Sequence, residues 1–172
     1  MNFREFLTIQ LILQEVFEPL KYEIIGQTPL GWGAKIFGRS ANFLVGFVQQ
    51  SDSNNWEMKF DQVKIGNDDT MVPMSQEEMP ELATIPIDEM ASFFMTIEKV
   101  IEEFIRAKNP DAIKVTGMDV GRAKAAAKNP GAFDAKRNNA YKYMLRQSEV
   151  IPRLGYDIDL SGNDIMIHKL AA

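Results

Sequence analysis

Residues Ile87 to Lys108 read IDEMASFFMTIEKVIEEFIRAK, and the reading of this stretch decides the fold. Apolar side chains fall at Ile87, Met90, Phe93, Phe94, Ile97, Val100, Ile101, Phe104 and Ile105. That is the spacing of one helix face, sustained for about six turns at roughly 3.6 residues per turn. Glu98, Lys99, Glu102, Glu103 and Arg106 take the opposite face. A helix with so broad an apolar stripe needs a large flat partner, and a sheet is the element that offers one. The residues before it are therefore expected to supply strands. Those after it are expected to supply a strand, another helix and closing strands.

Working back from the helix, residues 67–86 form a long acidic connector with Asp68, Asp69, Glu77, Glu78, Glu81 and three prolines. Connectors this long inside a domain are often functional or mobile, but solvated filler is the preferred reading here over a binding role. Before it, Trp56 to Val63 alternates, with Trp56, Met58 and Phe60 on one face. Asn42 to Gln49 is mostly apolar and reads as a central strand; Ala34 to Phe37 reads as a brief one. Gly38 to Ala41 and Ser51 to Asn55 supply hairpin turns, so antiparallel pairing is expected. Gln27 to Gly33, with Pro29, Gly31 and Gly33, reads as a turn-rich connector, and Tyr22 to Ile25 as a short strand. Phe3, Phe6, Leu7, Ile9, Gln10, Leu13, Val16 and Phe17 predict a first helix ending before Pro19.

Beyond the helix, Asn109-Pro110-Asp111 is a stop signal. Ala112 to Met118 reads as a strand. Asp119 to Ala132 holds an alanine-rich turn or two of helix, and Asp134 caps a further helix running to about Val150, ended by Pro152 and Gly155. Tyr156 to Leu160 and Asp164 to Lys169 form a final hairpin. Residues 1–172 are thus expected to make a single α/β (α+β) domain. Its sheet should be mixed and largely antiparallel, with flanking helices. The element order is helix, three or four strands, helix, strand, helix, two strands.

Composition narrows the function. The chain has no cysteine, which excludes a disulfide framework and thiolate metal sites and suits a reducing compartment. It has a single histidine, His168, so a zinc site of several imidazoles is excluded. No apolar run approaches the ~20 residues of a membrane span. The N-terminal stretch, with spaced apolar residues and interspersed acids, does not read as a signal peptide. Ten methionines would make either a forgiving core or an adaptable contact surface. The net charge of −5 conceals an asymmetry: residues 1–100 hold 7 basic and 15 acidic side chains, residues 101–172 hold 12 and 9.

The element order and the tail residues Asn138-Asn139-Ala140-Tyr141-Lys142-Tyr143, then Leu154-Gly155-Tyr156, resemble the GCN5-related N-acetyltransferase fold. In that family an antiparallel meander leads into the helix that binds acetyl-CoA, and a strand, a helix and a closing hairpin follow. The resemblance runs from about Ala34 to Lys169 as element order, with inexact spacing: Arg137 stands three before Ala140 and Met144 four after it. It implies acetyl transfer with Tyr143 as the general acid. The same tail also looks like those of small bacteriophage proteins. The family's glycine-containing pyrophosphate loop has no counterpart, since no glycine occurs between Gly66 and Gly117. The helix entrance reads Leu82-Ala83-Thr84-Ile85-Pro86-Ile87-Asp88-Glu89. Bare backbone N–H groups at such an entrance would hold a phosphate, whereas two carboxylates there satisfy the helix dipole themselves and repel an anion.

Other chemistry is sparse. No nucleophile elbow, Walker loop or dinucleotide fingerprint is present. Asp157 to Asp164 begins like a calcium loop, but His168 stands where the bidentate Glu belongs, so an acidic hairpin is the expected structure. No metal or cofactor is expected. The positive feature is the basic stretch containing Lys114, Arg122, Lys124, Lys128, Lys136, Arg137, Lys142 and Arg146. It reads either as a patch for phosphates or an acidic partner, or as a solvated face that balances the acidic half of this chain or of a second copy. The expectation is a non-catalytic interaction protein, phage-encoded on the tail's likeness. It would bind a protein or nucleic acid through Arg122, Lys124, Lys128, Lys136 and Arg137, in the cytoplasm (the host's, if viral) or in a virion. Homo-oligomers are compatible with it. The alternatives are an N-acetyltransferase with a degenerate acetyl-CoA site and a virion structural component.

Overall fold

A computed structural model describes residues 18–51, 53–65, 71–73, 86–116, 142, 144–161 and 164–171. Strands β1 (Lys21–Ile25), β2 (Gly31–Phe37), β3 (Asn42–Gln49) and β4 (Asn55–Ile65) form an antiparallel meander. The short β5 (Met71–Pro73) pairs antiparallel with the end of β4. Helix α1 (Ile87–Lys108) follows, then β6 (Ala112–Val115), which runs parallel to the start of β4. Helix α2 (Val150–Arg153) leads into the hairpin of β7 (Tyr156–Asp159) and β8 (Ile165–Lys169). The result is one mixed eight-stranded sheet in the order β1-β2-β3-β4-β6-β8-β7, with β5 beside β4. Among the described strands only the β4–β6 step is parallel, and a parallel step needs a crossover, which α1 supplies.

The two faces of the sheet follow from alternation. Register places Trp32 opposite Phe47, Ala34 opposite Val45 and Ile36 opposite Phe43. The same side continues through Met58 and Trp56 to Ile113 and Ile167. All of these are buried. The other face carries rows such as Glu23, Lys35, Leu44 and Asp61. Onto the apolar face α1 lays Phe93, Phe94, Ile97, Val100, Ile101, Phe104 and Ile105, each buried. Phe104 is the hub. Its ring stacks on Phe47 at 3.9 Å between centroids and meets the edges of Trp56 at 5.1 Å and Trp32 at 5.6 Å. Burying such a ring stabilises by about 1.5–3 kcal/mol, and each aromatic pair adds about 0.5–1.5 kcal/mol.

Several boundaries differ from the sequence reading, three of them by more than the fraying of an element end. Strand β2 begins at Gly31, not Ala34, because Gly33 faces Gly46 across the ladder and Gly31 faces Val48. Glycines that looked like a turn are strand residues because their neighbours on β3 pair with them, and local propensity yields to that. The connector expected over 67–86 contains a strand, since Met71–Pro73 adds to β4. The late helix does not continue to Val150. Residues 142 and 144–146 are helical, but the Gln147 and Ser148 amides donate back to Met144 and Leu145 and close the turn. Pro152 then lies inside α2, where a first-turn residue needs no N–H partner. Gly155, with φ 83°, makes the turn into β7.

The C-terminal end of α1 is tied down by several contacts. Asn109 adopts the left-handed conformation and donates its N–H to the Ile105 carbonyl at 2.8 Å. Lys108 Nζ donates to the Thr28 carbonyl at 2.8 Å and lies 5.6 Å from the Trp56 ring centroid. Asn54 Nδ2 donates to the Asn109 carbonyl at 2.9 Å, and the buried Tyr156 hydroxyl donates to the Pro110 carbonyl at 2.7 Å.

Candidate functional site

The candidate site is the N-terminal end of α1. The helix starts after Pro86, which makes no side-chain cap, and the Met90 N–H donates to the Pro86 carbonyl at 3.0 Å. Its first-turn N–H groups carry the positive end of the helix dipole. Asp88 and Glu89 both stand in that turn.

The β2–β3 connection, Gly38 to Ala41, lies against this turn. Glu89 is only 1% exposed. Its Oε1 accepts the Ser40 N–H at 2.8 Å and its Oε2 accepts the Ser40 hydroxyl at 2.7 Å. A buried carboxylate is tolerated when its lone pairs are met in this way. Arg39 Nε lies 4.0 Å from Glu89 Oε2, and its guanidinium pairs with Asp88. That hydrogen-bonded pair raises the Arg39 guanidinium and lowers the Asp88 carboxyl from their ordinary values; the backbone N–H groups of Glu89 and Asp88 help to lower the latter. Gly38 is required by the packing. A Cβ there would press into the Ala41 carbonyl oxygen and Glu89 Oε1.

The helix entrance is thus occupied by the chain's own anions, each with its own partner. Chemically it can hold a hairpin. The acids themselves were legible in the sequence; their partners, 49 residues earlier, were not.

The side chains singled out from sequence fall in different places. Arg122, Lys124, Lys128, Lys136, Arg137 and Tyr143 lie outside the described residues. Lys114 sits on the face turned away from α1, where its Nζ is 3.0 Å from Asp164. Lys142 and Arg146 lie on the helical piece before α2. His168 is exposed, opposite Asp157 and Ala112. Asp159, in the calcium-loop-like stretch, accepts the Ser161 N–H at 2.8 Å and the Ser161 hydroxyl at 2.6 Å. These bonds lower its carboxyl, with smaller effects from His168 and Lys142, and tie down the chain where it leaves β7. Among the described residues no three His, Cys, Asp or Glu gather as a metal site. Among them, too, no helix is long and apolar enough to cross a membrane.

Sequence reasoning missed two polar groups. Tyr22 donates its hydroxyl to Glu103, and that bond, with burial and the charges of Glu103 and Glu102, pushes the phenol up to about 12. Gln62 is buried on the α1 side of β4, opposite Phe43, and neither amide atom has a hydrogen-bond partner among the described residues. Its polarity in an alternating strand was the one local signal, and the reading of that strand stopped at Trp56, Met58 and Phe60.

Comparison with known proteins returns no matching family model, no matching curated protein and no matching solved structure.

Proposed function

We propose that this chain is a non-catalytic interaction protein built on an acetyltransferase-like scaffold. The scaffold reading is supported by the order of elements. An antiparallel meander enters a long helix, a strand parallel to β4 follows, and a hairpin closes the sheet. The non-catalytic reading rests on one observation: the entrance of α1 is filled by Glu89, bound to Ser40, and by Asp88, paired with Arg39. A pyrophosphate brought there meets two carboxylates, and the positive pole that would attract it is already satisfied.

The partner in this reading is a macromolecule, either a nucleic acid or an acidic protein surface. It is held by the basic segment through Arg122, Lys124, Lys128, Lys136 and Arg137. By the likeness of its tail, the chain is proposed to be a phage accessory protein acting in the host cytoplasm or virion. The test is binding to heparin and to duplex DNA across a salt series. Affinity should fall steeply as salt rises, and changing those five residues to Glu should abolish it. Affinity indifferent to salt, or retained by the five-residue variant, would remove the basic segment from the proposal.

The strand order also favours a second reading, an acetyltransferase with Tyr143 as acid. A melting curve with acetyl-CoA separates the two. A ligand at 100 times its dissociation constant stabilises by about 2.7 kcal/mol, which is a rise of roughly 5–10 °C at this size. We expect no rise. A rise of that size, together with acetyl transfer that Tyr143→Phe abolishes, would replace the first reading with the second.

A further inference from the structure

We draw no further inference here: the strongest candidate, the buried Gln62 amide on the α1 side of β4 between the stretches paired with β5 and β6, has no hydrogen-bond partner among the described residues, and nothing in the structure shows what covers it.

Discussion

The two ends of α1 are held by opposite kinds of chemistry. At the N-terminal end the contact is anionic: Glu89 is buried against the Ser40 N–H and hydroxyl, and Asp88 meets Arg39 at the surface. At the C-terminal end it is cationic and apolar: Lys108 reaches the Thr28 carbonyl over Trp56, while Tyr156 holds the Pro110 carbonyl. Both ends suit the helix dipole, which favours acids at its start and bases at its finish. They differ in redundancy. The C-terminal end has several independent ties and the Phe104 cluster beneath it. Among the described residues the polar contacts of the first turn go to the single β2–β3 connection, with Phe93 packed on Phe43 one turn further on. The Phe104 cluster anchors the C-terminal half, while the N-terminal contact holds the β2–β3 connection against the first turn.

The largest effect should come from the C-terminal half. Phe104→Ala removes the ring shared by Trp32, Phe47 and Trp56 and should cost about 3–5 kcal/mol, read from urea unfolding. A loss under 1 kcal/mol, on the scale of surface substitutions, would show that the cluster is not the anchor of α1. At the other end, Gly38→Ala forces a methyl group into the Ala41 carbonyl and Glu89, and should cost about 1–3 kcal/mol. Paired with Glu89→Ala, it should cost less than the two single losses added together, because both act on one contact. Strict additivity would mean that they are independent.

Smaller effects test the ties one at a time. Tyr156→Phe leaves the buried Pro110 carbonyl without its donor and should cost about 1 kcal/mol. Arg39→Ala touches an exposed ion pair, 67% and 51% exposed, so the melting temperature should stay within error. A clear drop would show that Arg39 also supports buried Glu89. Tyr22 tests the middle of the helix through its proton. Its folded pKa of about 12 lies above the ordinary 10.0. The stability it confers is therefore complete below pH 10 and is lost as pH rises from 10 towards 12. Phenolate absorbance should show one tyrosine titrating near 12, and Glu103→Gln should bring it down towards the ordinary value. An unchanged titration would place the shift elsewhere.

Part of this molecule can be read without coordinates, because local periodicity encodes which face of an element is buried. The 22-residue helix follows from apolar spacing alone, and its bounds agree from Ile87 to Lys108. Strand β3 likewise follows from its own residues, Asn42 to Gln49. The two acids and the missing glycine at the helix entrance were equally visible. What periodicity cannot carry is partnership between segments far apart in the chain. That β6 lies between β4 and β8, that Met71–Pro73 extends the sheet and that Gly31 to Gly33 are strand rather than turn depend on ladders formed across long separations. The burial of Glu89 is of the same kind: its charge is local information, but the hydroxyl and amide that make it tolerable arrive on a hairpin from elsewhere in the chain. Side-chain pattern fixes the long helix and the central strand, each with its inward face. Only the folded backbone, by bringing distant donors to acceptors, decides what each face meets.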